Sequence, residues 1–217
     1  MSVNAVKRPL KRGAQSHTSS VQWIARVSIL AAIAFVLMIF EIPLPFAPSF
    51  YKLSIDEVAV MIAGFAMGPW AAVAVEGLKI LLNLCFNGTT TAGVGELTNF
   101  ILGLLYVLPA VFYYQKHKTR KGALIGLVIG SLSLTVFGAL LNYFVSLPMY
   151  SYFYGLPLDT IIGMGSAINP LIHNRLTFVL WAVVPFNLVK ALVSSTLVFV
   201  LYKRVSPLLH GKTQSQN

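Results

Sequence analysis

Long apolar runs recur along this chain at the length of a membrane-spanning helix, and that recurrence limits its possible folds more than any single motif does. Residues 21–40, 70–86, 96–115, 122–147 and 185–203 form such runs, and a shorter one occupies 54–68. About 20 residues at 1.5 Å each cover the roughly 30 Å of a bilayer core. In lipid the backbone must satisfy its own hydrogen bonds, so runs of this length fold as helices. Of the 217 residues, 57% are hydrophobic and 10% charged, and the mean hydropathy of +0.77 excludes a soluble globular domain. The expected class is all-α, a polytopic bundle of six transmembrane helices.

Sixteen Lys and Arg stand against six Asp and Glu, and the excess is clustered. One cluster is Lys7, Arg8, Lys11 and Arg12, a second Lys116, Lys118, Arg120 and Lys121, a third Lys203, Arg204 and Lys212. Basic residues beside spans set orientation. With six crossings the three clusters share one side, which places both termini in the cytoplasm. The clusters have no interleaved aromatics, so the expected partner is the lipid bilayer and not nucleic acid. The expected division is a polar basic tail (1–20), a membrane domain (21–204) and a second cytoplasmic tail (205–217). The first run exceeds the roughly 7–15 residues of a cleaved leader core, so it is expected to stay as helix one.

Between the runs, punctuation is strong. Pro43, Pro45 and Pro48 make residues 41–48 a stiff extended loop that can cap the bundle. Ser54, Asp56 and Glu57 suit a helix N-terminus, and Gly68 with Pro69 ends that helix. Residues 148–184 are interrupted by Asp159, Asn169, Pro170, His173, Asn174 and Arg175, which predicts short helices over the bundle. Pro185 costs no backbone bond in a first turn, so it predicts the start of the last helix. Gly122, Gly126 and Gly130 predict close helix packing. The lone Cys85 excludes an internal disulfide and a thiolate cage, and its apolar neighbours predict a packed thiol. No metal site is expected, since the four histidines share no ligand spacing.

In this topology Asp56, Glu57, Asn83, Glu96, Asn99, Asn142, Asn187 and Lys190 all fall near the outer ends of spans. Glu76 and Lys79 lie deeper, three apart on one helix. The inner halves offer mostly Ala, Leu, Val, Ile and Gly. A channel or pump needs polar groups along its whole path, so this pattern predicts a cup that opens outward and is closed below. Asparagine donates and accepts while lysine donates, which suits a polar small molecule with an amide-like edge. Plainer roles are open to each: a brace for Glu76 and Lys79, helix initiation for Asp56 and Glu57, interhelical bonding for Asn142 and Asn187. Small residues including Ser28 and Ala32 line helix one, for packing or for a partner helix.

Taken in order, Lys52-Leu53-Ser54-Ile55-Asp56-Glu57, Gly64-Phe65-Ala66-Met67-Gly68-Pro69, Gly95-Glu96-Leu97-Thr98-Asn99-Phe100, Asn142-Tyr143 and Pro185-Phe186-Asn187-Leu188-Val189-Lys190 make a specific set. With the proline-rich loop, the chain resembles the riboflavin-specific S components of energy-coupling-factor vitamin transporters. The resemblance implies a six-helix capture subunit of the bacterial cytoplasmic membrane, not itself an enzyme and without a cofactor. It implies riboflavin bound near the outer face through Asn142, Asn187 and Lys190, under apolar cover from Leu44 and Phe46; Glu96 and Asn99 join the expected site from the outer polar ring. Implied partners are a transmembrane coupling subunit, met by Ser28 and Ala32 on helix one, and two ATP-binding-cassette ATPases that use the ATP. Alternatives are capture of another vitamin or precursor, and an intramembrane enzyme using Glu96, or Glu76 with Lys79, as acid and base.

Overall fold

The structure is a computed structural model and describes residues 16–48, 50–89, 92–155 and 157–209. The basic residues Lys7, Arg8, Lys11, Arg12 and Lys212 lie outside the described residues, as do the side chains of Lys203 and Arg204.

Helix α1 spans Ser16–Ile39 and so starts five residues before the apolar run expected to form it. A short antiparallel hairpin follows, β1 (Ile42–Pro43) against β2 (Lys52–Leu53), closed by a 3.1 Å ion pair between Lys52 and Glu41. The expected stiff loop is thus the first arm of a hairpin, because the chain turns back through Phe50 and Tyr51.

Helix α2 (Glu57–Met67) is the hub, packing against α1, against α3 (Pro69–Asn87), against α4 (Val94–Lys116) and against the last helix. Val60, Met61 and Ala63 are wholly buried, as befits a helix that is apolar all round. Its 11 residues reach only about 16 Å, too short to cross a bilayer. The described residues contain five helices long and apolar enough to cross; the sixth expected span is this half-length plug. Gly68 breaks α2 from α3 at φ 95°, a conformation open to glycine, and Pro69 opens α3. Gln115 of α4 then donates to the carbonyls of Gly64 and Phe65 (3.0 and 3.2 Å), tying α4 to the last turn of α2, where the Gly64 carbonyl also accepts from the Gly68 N–H.

Helix α5 (Arg120–Leu141) lies along α4. A Cβ on Gly130 would sit 2.3 Å from the Tyr106 carbonyl oxygen, so the glycine repeat sets how closely these backbones approach. Cys85 is exposed on α3, not packed: the end of that helix carries a run of exposed residues, and apolar sequence neighbours face lipid as readily as core.

Two helical segments depart from expectation in the same way. After α5 comes a π-helical turn (Asn142–Ser146), then α6 (Leu147–Tyr154), making one long helix. After the short α7 (Leu158–Ser166), α8 (Arg175–Phe178) leads into a second π-helical turn (Val179–Val183) and then α9 (Val184–Leu209). Pro185 therefore lies inside a continuous helix and does not start one. The start is Asn174, whose side chain accepts from the Thr177 N–H while Thr177 returns a bond to the Asn174 N–H.

The widened turns explain how the prolines are tolerated. Leu147 N–H reaches back five residues to the Asn142 carbonyl, and Val184 N–H to the Val179 carbonyl, each one residue before a proline that has no N–H. The wider turn gives room to a ring that clashes with the carbonyl four residues back in an ordinary helix. Of the expected short helices between residues 148 and 184, only α7 is separate; the two ends extend the flanking spans.

Candidate functional site

One end of the bundle opens into a cavity of about 640 Å³. It collects the ends of α1 and α3, the starts of α4 and α9, the end of α5 and the hairpin, so the fold brings distant stretches together. The volume falls within the roughly 300–1,000 Å³ of small-molecule sites. Lys116, Lys118, Arg120 and Lys121 are exposed at the opposite end, where α4 turns into α5.

Five of the expected site residues line this cavity, Asn142, Asn187, Lys190, Asn99 and Glu96, and so does Asn83 of the outer polar ring. Leu44 is half-buried and Phe46 exposed, and neither lies in the lining. The aromatic wall comes instead from Phe50, Tyr51, Tyr150 and Phe186, none of them singled out as a site residue. Their rings contact in series, Tyr51 lying 5.2 Å from Phe186 and Phe50 6.3 Å from Tyr150 between centroids. The available signal was local, because Phe50 and Tyr51 immediately precede the motif that opens α2.

Asn142 is held on two sides. Its Nδ2 donates to the Gly138 carbonyl one turn earlier (2.9 Å), and its Oδ1 accepts from the Tyr51 hydroxyl (2.8 Å). Burial, and then the charge it would share with Tyr150, push the Tyr51 phenol above its ordinary range, so the hydroxyl stays neutral and donates. Asn187 differs: it is 2% exposed and its Nδ2 has no hydrogen-bond partner. A Cβ on Gly138 would lie 2.7 Å from that Nδ2, so this glycine orients one amide through its carbonyl and leaves room for the other. Thr98 and Ser146 hydroxyls meet at 3.2 Å, tying α4 to the first widened turn. Arg175 stacks over Tyr143 at 4.4 Å.

Beneath the cavity lies a buried ionic cluster. Lys79 Nζ is 2.5 Å from Asp56 Oδ2, 2.7 Å from Glu76 Oε2 and 3.2 Å from Glu57 Oε1. Asp56 also accepts from the Ser54 hydroxyl. The brace expected of Glu76 and Lys79 is present, but it is larger, and Asp56 and Glu57 are more than helix-start residues. Asp56 makes no side-chain cap bond; its carboxylate is committed to Lys79. Gly103 admits the cluster, since a Cβ there would sit 2.5 Å from Glu76 Oε1. Lys190 Nζ stands 3.9 Å from Glu57 Oε1, linking cluster and cavity.

An apolar bundle with one polar cup and a sealed ionic floor is the layout of a membrane receptor for a small molecule. The sequence model of the family described as "ECF transporter, substrate-specific component" matches residues 22–202. The chain belongs to that family. This S component is 32% identical over 188 residues to the riboflavin transporter FmnP of Bacillus subtilis (strain 168), covering 86% of this chain and 93% of the relative. It is 32% identical over 183 residues to the riboflavin transporter RibU of Staphylococcus aureus (strain TCH60), covering 84% and 89%. A solved S component of a bacterial ECF transporter superposes with a TM-score of 0.70 at 31% identity, over 88% of this chain and 99% of that one. The family and its relatives are transport components, and this S component is a multi-pass membrane protein.

Proposed function

We propose that the protein captures riboflavin as the substrate-binding subunit of an energy-coupling-factor transporter. The observation that carries this reading is the cavity itself, in which Asn142, Asn187 and Lys190 face an aromatic wall. A tricyclic flavin ring buries its apolar faces against Phe50, Tyr51, Tyr150 and Phe186, while its polar edge pairs with the amides and the ammonium. A wrong ligand would leave those groups unpaired, which is the stronger source of discrimination. The names of the relatives support the same ligand.

The cavity end faces the exterior in this reading, because the exposed Lys116 to Lys121 cluster at the other end belongs in the cytoplasm. Membership of the family implies a membrane-embedded partner with ATPases. The finer arrangement proposed is one transmembrane coupling subunit with two ATP-binding-cassette ATPases. Ser28 and Ala32 are exposed on α1, and this small-residue face is the proposed contact with the coupling subunit.

The test is direct. Protein purified in detergent should carry or take up riboflavin, seen as a flavin absorption band and as quenched flavin fluorescence on titration. A protein that neither copurifies with flavin nor quenches it overturns the reading.

A further inference from the structure

The two cavity asparagines are not equivalent, and the difference lies in what each is already bonded to. The Gly138 carbonyl can only accept, so the Asn142 atom 2.9 Å from it must be the Nδ2 donor. That fixes Oδ1 on the other side, where it accepts from the Tyr51 hydroxyl at 2.8 Å. A carbonyl oxygen has two lone pairs, and Tyr51 takes one. Asn142 therefore offers the cavity an acceptor. Asn187, packed against the same Gly138, holds a buried Nδ2 with no partner, a donor waiting for an acceptor.

We infer that Tyr51 is a specificity-determining positioning residue: its hydroxyl, together with the Gly138 carbonyl, locks the Asn142 amide so that only its oxygen is presented to a ligand. The ligand edge selected in this way carries an N–H donor beside a carbonyl acceptor, the pattern of an imide or pyrimidine-dione. Tyr51 is suited to the task. Its ring is clamped by Phe50 at 4.9 Å, Phe186 at 5.2 Å and Phe178 at 6.4 Å, so the hydroxyl position does not depend on the hydrogen bond it makes. Without that hydroxyl, Asn142 keeps one anchor and can swing its oxygen away for the loss of a single hydrogen bond.

The inference rests on the riboflavin reading for its probe, since riboflavin carries such an edge and N3-methylriboflavin lacks the N–H. Both ligands are titrated by fluorescence quenching into the full chain in detergent, as wild type, Tyr51→Phe, Asn142→Ala and the double variant. Wild type should prefer riboflavin by roughly 100-fold, because the methyl group leaves the second lone pair of Asn142 Oδ1 unpaired and crowds the site where the ligand N–H would sit. Tyr51→Phe should cut that preference about tenfold, a loss of about one hydrogen bond. In the Asn142→Ala background the same change should leave the preference unmoved, since Tyr51 acts through Asn142. A merely structural role would weaken both ligands equally in Tyr51→Phe, and an intact preference there overturns the inference while the riboflavin reading stands. If wild type binds neither flavin, the reading falls and takes the inference with it. The Asn142→Ala arm decides independently of how well Tyr51→Phe folds: if that variant keeps the full preference, the inference is overturned.

Discussion

Glu57 Oε1 lies 3.2 Å from Lys79 Nζ and 3.9 Å from Lys190 Nζ, so a single carboxylate oxygen joins the buried floor to the wall of the binding cavity. The floor is not a passive plug: its charge pattern reaches the residue proposed to bind the ligand. Two elements that only tertiary packing brings together, α2 and α9, meet at this oxygen.

Lys79 should be the most sensitive position of the bundle. It is wholly buried and faces Asp56, Glu57 and Glu76. Lys79→Met leaves the three carboxylates without their main counter-ion, and losing one partner of a buried ion pair costs about 3–5 kcal/mol. The expected outcome is a large fall in thermal unfolding temperature in detergent. A variant as stable as wild type would contradict it.

Gly103→Ala tests the fit of the same cluster from the α4 side. The new methyl would meet Glu76 Oε1 at 2.5 Å and Glu57 Oε1 at 2.9 Å, and those side chains are held by Lys79. Overpacking of this kind costs about 1–3 kcal/mol. Unfolding in detergent should register it, whereas Gly163→Ala, with open space at its Cβ, should register nothing of comparable size.

In the cavity, Asn187→Ala and Lys190→Ala should weaken flavin binding while the protein still folds. Asn187 Nδ2 has no partner to lose, and Glu57 keeps Lys79 when Lys190 is removed. A neutral hydrogen bond is worth about 1 kcal/mol and a charged one about 1.5–3 kcal/mol, so Asn187→Ala should cost roughly 3- to 10-fold in affinity and Lys190→Ala more. Fluorescence titration of the two variants beside wild type gives the order.

Tyr51 gives a pH dependence with a definite sign. Its phenol is pushed above the ordinary value near 10 by burial, with Tyr150 adding to it. The folded state favours the neutral form, so this contribution to stability is complete below about pH 10 and is lost as the pH rises beyond it. Unfolding measured between pH 8 and pH 11 should show a decline in wild type that is smaller in Tyr51→Phe.

Much of this was legible in the sequence because the bilayer is a severe solvent. A polar side chain in a span is costly, so the shared depth of Asn142, Asn187, Lys190, Asn99 and Glu96 pointed to one end of the bundle, and the fold places all five around one cavity. Tyr51 and Tyr150 were less visible, since an aromatic residue, whether in a hairpin like Tyr51 or on a helix like Tyr150, carries no comparable penalty. The partners of Asp56 and Glu57 depend on how α2 packs on α3, which no local rule encodes. Pro185 misled for a definite reason: proline is expected at a helix start, and the widened turn that admits it inside a helix leaves no mark in residue type.

The widened turn at Val179–Val183 is, in effect, one residue more than an ordinary helix would use to reach the same height. Each residue of an α-helix advances the azimuth by about 100°. Were the same residues wound as an ordinary α-helix, with the extra one not absorbed in a widened turn, everything downstream would swivel by about that angle relative to Arg175 and Phe178. Asn187 and Lys190 would then point past the cup into a neighbouring helix or the acyl chains, so the aim of the receptor is set by a counting irregularity in its own backbone.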